Sequence, residues 1–263
     1  MKIGIYQFNP EWGKINKNLA QIEKNLKSAD KADLWILPEL CTTGYQFTSM
    51  SELDDLAEEF PGGETSQRIS KLSRKLETGI VIGVAEKYGD KYFNSAAVYE
   101  DGDYLGIYRK LHLFYEENKY FSPGDESPKV FEIKNAKVGV MICFDWIFPE
   151  TVRSLTIRGS QLIAHPANLV LPYCQNAMVT RSIENKVFTA TANRIGSENR
   201  TGEKLTFTGM SQITNTKGGR LQQLSREKEE TMIVEIKPGE ATNKDLNEYN
   251  NLLGDRRRDL YTL

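Results

Sequence analysis

A mixed α/β fold, with sheet strands covered by helices, is what the sequence predicts, and three observations predict it. Short apolar runs of strand character alternate with segments of helical period almost throughout the chain. Its 263 residues, 39% of them hydrophobic, are enough to bury a large core. No Gly/Ser linker, repeat or low-complexity tract interrupts the alternation, so residues 1–263 are expected to form one domain.

The elements follow in order. Residues 2–8 (KIGIYQF) alternate Ile3 and Ile5 with a ring at Tyr6 or Phe8, a short strand. Residues 16–29 space Leu19, Ile22, Leu26 and Ala29 at helical intervals. The run LWIL at 34–37, halted by Pro38, reads as a strand buried on both faces. Thr65 is a good N-cap for a helix that carries Ile69, Leu72 and Leu76 on one stripe and ends near Gly79. Residues 79–86, 95–100 and 104–110 then read as three consecutive strands. In the second half, 129–133 and 137–143 look like strands. Pro149-Glu150 opens a helix where proline is tolerated, and 160–166 is a further short apolar run. A helix over 175–186, a strand over 187–193, and strands near 205–214 and 231–236 complete the reading. The charged run REKEETM (226–232) is most simply a solvated hairpin connection.

Composition narrows the function classes. Thirty-four Lys plus Arg against 36 Asp plus Glu give a net charge of −2, and the basic residues are scattered, so phosphate-driven nucleic-acid binding is not expected. A mean hydropathy of −0.50 and no apolar run near membrane length argue against a membrane span. The amino terminus lacks the apolar stretch of a secretory signal. Three cysteines make no disulfide framework, and the expected setting is a reducing cytoplasm. No CxxC or HExxH pattern is present, so neither a metal nor another cofactor is expected.

Chemistry concentrates at three strand ends. Cys143 closes the run VGVMI ahead of a turn into the Pro149 helix, the place where an α/β scaffold displays a nucleophile. A free cysteine is also an ordinary small core residue. Glu39 follows WILP, where loss of water would suit a carboxylate to general-base work; a solvated loop glutamate past Pro38 is the plainer alternative. Lys110 ends the strand 104–110, where a cation would stabilise an oxyanion and favour thiolate; a snorkelling surface lysine is the commoner case. His112 and His165 are the only histidines, and a cysteine–histidine hydrolase using either stays open. Cys41 and Cys174 read as packing residues. Together, Glu39, Lys110 and Cys143 form an acyl-transfer apparatus that needs no histidine.

The segments LPEL with CTTGY (37–45), YRKLHLF (108–114), YFSPGD (120–125), GVMICFDWIFPE (139–150), HPAN (165–168), RSIEN (181–185), FTGMSQI (207–213) and DRRRDLY (255–261) resemble the nitrilase superfamily of carbon–nitrogen hydrolases. They span nearly the whole chain in the right order, with the three central residues 71 and then 33 positions apart. The resemblance implies an αββα four-layer sandwich with Glu39 as general base, Lys110 as oxyanion-stabilising cation and Cys143 as nucleophile. Glu117 would orient the lysine or the substrate amide, with Glu116 next door as the other possible register. It also implies a homodimer or higher homo-oligomer, with the tail from about 250 to 263 in the interface, where the arginines at 256–258 would form ion pairs.

The implied reaction is hydrolysis of a non-peptide carbon–nitrogen bond in a small amide or nitrile, through a cysteine thioester, giving a carboxylic acid and ammonia. N-carbamoyl amine or amino acid hydrolysis and a non-catalytic small-molecule sensor are the alternatives. Ile147 stands where many relatives have arginine, which argues against a substrate carboxylate bound there. The aromatics Phe114, Tyr115, Phe144, Trp146 and Phe148 favour a neutral or modestly apolar substrate, with Phe144, Trp146, Asn168 and Tyr45 expected to line its pocket.

Overall fold

The computed structural model of the protein describes residues 1–261. In chain order its regular elements are β1 (Lys2–Gln7), α1 (Ile15–Ser28), β2 (Leu34–Ile36), α2 (Met50–Leu56), α3 (Glu64–Leu76), β3 (Gly79–Tyr88), β4 (Lys91–Glu100) and β5 (Asp103–Arg109). After these come β6 (Val130–Ile133), β7 (Ala136–Val140), α4 (Pro149–Ile157), β8 (Leu162–Ala167), α5 (Cys174–Asn185) and β9 (Phe188–Asn193). The short strands β10 (Ser197–Glu198), β11 (Leu205–Thr206), β12 (Gln212–Thr214) and β13 (Arg220–Gln223) lead to β14 (Glu230–Glu235).

Two six-stranded sheets carry the fold. One has the order β14-β1-β2-β3-β4-β5 and the other β13-β12-β9-β8-β7-β6. In the first, β1, β2 and β3 run parallel, flanked by antiparallel β14 and by the meander β4–β5; in the second, β7, β8 and β9 are the parallel trio. The period-2 alternation of each strand decides which layer each side chain enters. Ile3, Ile5, Leu34, Ile36 and Val81 face Val138, Val140, Leu162, Ala164 and Ala190 in the layer between the sheets. Tyr6, Trp35, Ile80 and Ile82 point the other way, onto Leu19, Ile22 and Leu26 of α1 and Ile69 and Leu72 of α3. Val152 and Leu155 of α4 and Met178 of α5 cover the outer face of the second sheet. The layers are therefore helix, sheet, sheet, helix, the expected αββα sandwich.

Several local expectations need correction. The α3 N-cap is Gly63, because Thr65 is already inside the helix and gives its hydroxyl and backbone N–H to Glu58. Strand β7 stops at Val140, since the Ile142 N–H goes to the Asp145 carboxylate instead of a neighbouring strand. The segment 205–214 splits into β11 and β12, with Gly209 and Met210 both in the left-handed region between them (φ 55° and 54°). Residues 226–232 are not a hairpin connection: β13 and β14 belong to different sheets, and the segment crosses from one to the other. Helix α2, which lacks a long apolar stripe, escapes sequence reading altogether.

Candidate active site

Parallel strands of a covered sheet end on one side, and groups placed just past their carboxyl ends converge. Glu39 follows β2, Lys110 follows β5, and β5 runs in the same direction as β2 because two antiparallel steps separate it from β3. Past β2 the chain stays on β3 through Leu37 N–H to Val81 O (2.9 Å), Gly83 N–H to Pro38 O (3.2 Å) and Cys41 N–H to Gly83 O (3.1 Å). Leu40 takes φ 44° to make that turn. Gly83 is required here: a Cβ on it would lie 2.4 Å from Glu39 Cα and 2.5 Å from Pro38 O. The turn leaves the Glu39 side chain fully buried, with Oε1 accepting from Lys110 Nζ (2.6 Å) and Asn94 Nδ2 (2.7 Å) and Oε2 without a partner.

Lys110 is held by its backbone, N–H to Asn94 O (2.9 Å) and carbonyl to Gly124 N–H (2.8 Å). Its ammonium also donates to Glu117 Oε1 at 2.7 Å, an oxygen that accepts the Tyr45 hydroxyl as well (2.5 Å). Glu117 sits on a single 3-10 turn, Tyr115–Lys119, and is buried, whereas Glu116 pairs with Lys119 at the surface. Of the two adjacent glutamates, Glu117 is the one that meets Lys110. Burial works against the Lys110 charge, yet Glu117 and Glu39 outweigh it and hold the ammonium above the usual lysine range. Burial holds the Glu117 carboxyl above its ordinary value against the pull of Lys110.

Cys143 opens a 3-10 turn (Cys143–Ile147) and takes φ 40°, an uncommon conformation for a residue with a side chain. Asp145, fully buried, braces that turn. One of its oxygens accepts Ile142 N–H (2.9 Å) and Tyr108 hydroxyl (2.7 Å); the other accepts His112 N–H (3.1 Å) and faces His112 Nδ1 (2.7 Å). It thus ties the cysteine turn to the strand end that carries Lys110. His165 Nε2 lies 3.0 Å from the Cys143 carbonyl oxygen, which can only accept, so Nε2 carries the proton and Nδ1 accepts from Thr191 Oγ1 (3.1 Å). Burial lowers its pKa to about 4, so the ring is neutral. Neither histidine faces the sulfur as a base: His165 bonds the cysteine's backbone, and His112 bonds Asp145 and stacks on Phe148.

The thiol itself is pushed well above the usual cysteine range, first by burial and then by the Glu39 charge, with Lys110 opposing. Lys110 favours the thiolate, as expected of a nearby cation, but desolvation and two carboxylates outweigh one ammonium. The group is a thiol at neutral pH, and attack requires a base.

A small, shallow apolar cleft opens beside the sulfur, lined by Phe114, Phe144, Trp146, Leu169, Val170 and Leu171 together with Cys143 and Asn168. The Asn168 amide is buried with both its nitrogen and its oxygen unpartnered. Tyr45 lines an adjoining cleft with Phe47, Glu117 and Phe121, and its hydroxyl reaches the acid–lysine cluster through Glu117. Ile147 is 40% exposed and is not among the residues that line the cleft. Sequence reading also passed over the buried pair Arg194–Glu198. Glu198 accepts the backbone N–H groups of Tyr45 and Gln46, Arg194 lies over Phe207, and together they anchor the loop beyond Glu39. Only a charged residue in an otherwise apolar stretch could have flagged them. Among the described residues no group of three or more His, Cys, Asp or Glu is arranged to hold a metal ion, and no helix is long and apolar enough to cross a membrane.

A thiol, an acid with one free oxygen and a fixed ammonium in one buried cluster are suited to acyl transfer. The model of the carbon-nitrogen hydrolase family matches residues 2–244. The chain belongs to the carbon-nitrogen hydrolase family. A nitrilase of Pyrococcus abyssi is 43% identical over 99% of each chain. Among solved structures, the carbon-nitrogen hydrolase of Helicobacter pylori G27 superposes with a TM-score of 0.89 at 26% identity, covering 99% of this chain and 97% of that one. A variant of the amidase from Nesterenkonia sp. AN1, bearing acrylamide added at its active site cysteine, superposes at 0.82 with 25% identity, covering 99% and 98%. This carbon-nitrogen hydrolase is accordingly an enzyme of the nitrilase and amidase kind.

Proposed function

We propose that the protein hydrolyses a small, neutral or modestly apolar amide or nitrile through a thioester on Cys143. The observation that carries this reading is the division of labour at Glu39: Oε1 is tied to Lys110 and Asn94, Oε2 has no partner, and the Cys143 thiol is close enough to feel the charge. Glu39 takes the thiol proton as sulfur attacks the carbonyl carbon. The oxyanion that forms is held by the Lys110 ammonium and by the Phe144 N–H, one of the first donors of a helical turn that have no partner within it. Collapse breaks the carbon–nitrogen bond, and protonated Glu39 gives its proton to the leaving ammonia. Water then enters, Glu39 takes one of its protons, and the thioester opens to acid and thiol. A nitrile passes through a thioimidate and consumes a second water. Glu117, fixed by Tyr45, orients the lysine.

The substrate class follows from the walls. Phe114, Phe144, Trp146 and the leucines and valine at 169–171 favour an apolar acyl group, and Asn168 supplies a donor and an acceptor for one polar feature. In the same reading the chain acts as one catalytic unit in the cytoplasm, as a homodimer. Exposed Tyr249 and Leu260 support a tail interface; residues 262 and 263 of that tail lie outside the described residues, and Arg257 pairs within the chain with Asp259 (2.9 Å).

An ammonia-release screen over amides, nitriles and N-carbamoyl compounds tests the reading. Release from short apolar amides or nitriles is the expected result. Release from N-carbamoyl compounds alone would move the substrate class to that alternative, and no release from any compound would favour a sensor.

A further inference from the structure

Asn94 belongs to none of the motifs above, yet it touches both acids. It lies fully buried in β4, opposite Ala85 of β3. Its Nδ2 is 2.7 Å from Glu39 Oε1 and 3.4 Å from Glu117 Oε2, while its own Oδ1 has no partner. An amide buried merely to complete a sheet satisfies both of its ends. This one leaves its acceptor orphaned and directs its two hydrogens at two carboxylates.

The surroundings explain what that achieves. The groups facing it are Glu39 from the turn after β2, Glu117 from the 3-10 turn and Lys110 from the end of β5. Tyr45 reaches Glu117 from the loop beyond Glu39, and the Cys143 thiol approaches from the other sheet. With both acids ionised the cluster carries one negative charge in excess, away from water. Lys110 and Asn94 both hold Glu39 through Oε1, while on Glu117 Lys110 and Tyr45 share Oε1 and Asn94 lies nearest Oε2, so the amide adds a donor to each acid without adding charge.

We propose that Asn94 is a positioning residue that holds Glu39 and Glu117 apart and pins Glu39 by one oxygen, leaving Oε2 to take the thiol proton. This rests on Glu39 acting as the base and Cys143 as the nucleophile. Removing the donor makes each carboxylate take up a proton more readily, so the acid limb of the rate profile moves to higher pH.

The test uses Asn94→Leu, which removes both hydrogens at similar size, and Asn94→Ser, which restores one short donor. kcat and KM are measured from about pH 5 to about pH 9 on the best substrate of the screen. For Asn94→Leu the expected result is a kcat loss of about 10- to 100-fold, KM within about threefold, and an acid limb raised by about one pH unit, with partial recovery of both in Asn94→Ser. A fall in kcat with the limb unmoved, or a rise in KM alone, overturns the proposal. If Asn94→Leu does not fold, an unmoved limb in Asn94→Ser overturns it. Glu39→Gln and Cys143→Ala separate the underlying reading: turnover in either sinks the base and nucleophile assignments themselves, whereas two dead variants beside an unmoved Asn94 limb sink only the role of Asn94.

Discussion

Gly83→Ala tests whether the placement of Glu39 depends on the backbone packed beneath it. The added Cβ would lie 2.4 Å from Glu39 Cα, about 1 Å inside the 3.4 Å at which ordinary contact begins. Its other neighbours, Pro38 O at 2.5 Å and Leu40 N at 2.7 Å, are also backbone, so no side chain can swing away to make room. The turn must move by about that 1 Å or the strands must part. Overpacking of this kind costs about 1–3 kcal/mol of stability, and a misplacement of 1 Å at a catalytic group costs on the order of 10²-fold in rate. Gly79→Ala, at the far end of the same strand, is the matched control. Its Cβ would lie 2.6 Å from Ile133 Cγ2, a side chain away from the site. Ammonia release and thermal melting are measured on both. Comparable losses of Tm with a rate defect confined to Gly83→Ala are expected. Full activity in a folded Gly83→Ala protein, or equal rate losses in both, would refute the reasoning.

Three other perturbations probe the buried network. Lys110→Met strands two facing carboxylates and should destabilise the fold by about 3–5 kcal/mol at neutral pH, the cost of breaking a buried pair. Uncompensated acids escape that cost by binding protons, so the deficit in denaturant midpoint should shrink as pH falls toward 5, and a constant deficit contradicts it. His165 is depressed to about 4 in the fold, so the unfolded chain binds its proton first; stability should fall by roughly 3 kcal/mol as pH drops from about 6.5 to about 4. His165→Asn should flatten that slope in urea titrations, and an unchanged slope would show that the ring is not the group responsible. His112→Gln should retain turnover, losing less than the roughly 10²–10⁴-fold expected for deleting a general base; a larger loss with the fold intact would revive a cysteine–histidine mechanism.

What the sequence makes legible here follows from how local each signal is. The α1 stripe of Leu19, Ile22 and Leu26 and the apolar runs at 34–36 and 162–167 report their own surroundings, because period and length decide which faces are buried. Glu39, Lys110 and Cys143 stand out because polar groups at the ends of apolar strands conflict locally with their context. Asn94, Asp145 and Arg194 give no such signal. Their meaning lies in partners 23 to 55 residues away for Asn94 and 33 to 37 away for the bonds of Asp145 to His112 and Tyr108. For Arg194 it lies in Asn9, 185 positions back. The same limit explains Thr65, whose hydroxyl was claimed by Glu58 instead of the helix end, and the 226–232 crossing, whose charged composition suits a hairpin and a crossover equally well.

The account stands on one sulfur. Incubating the protein briefly with a turnover substrate, quenching in acid and mapping the acyl group by peptide mass spectrometry asks which atom carries it. The account predicts an acyl adduct on Cys143 alone, absent from Cys143→Ala, with Cys41 and Cys174 unmodified because both are buried and bonded or packed within the core. An adduct on either of those thiols, or steady turnover by Cys143→Ala with no adduct anywhere, would contradict it.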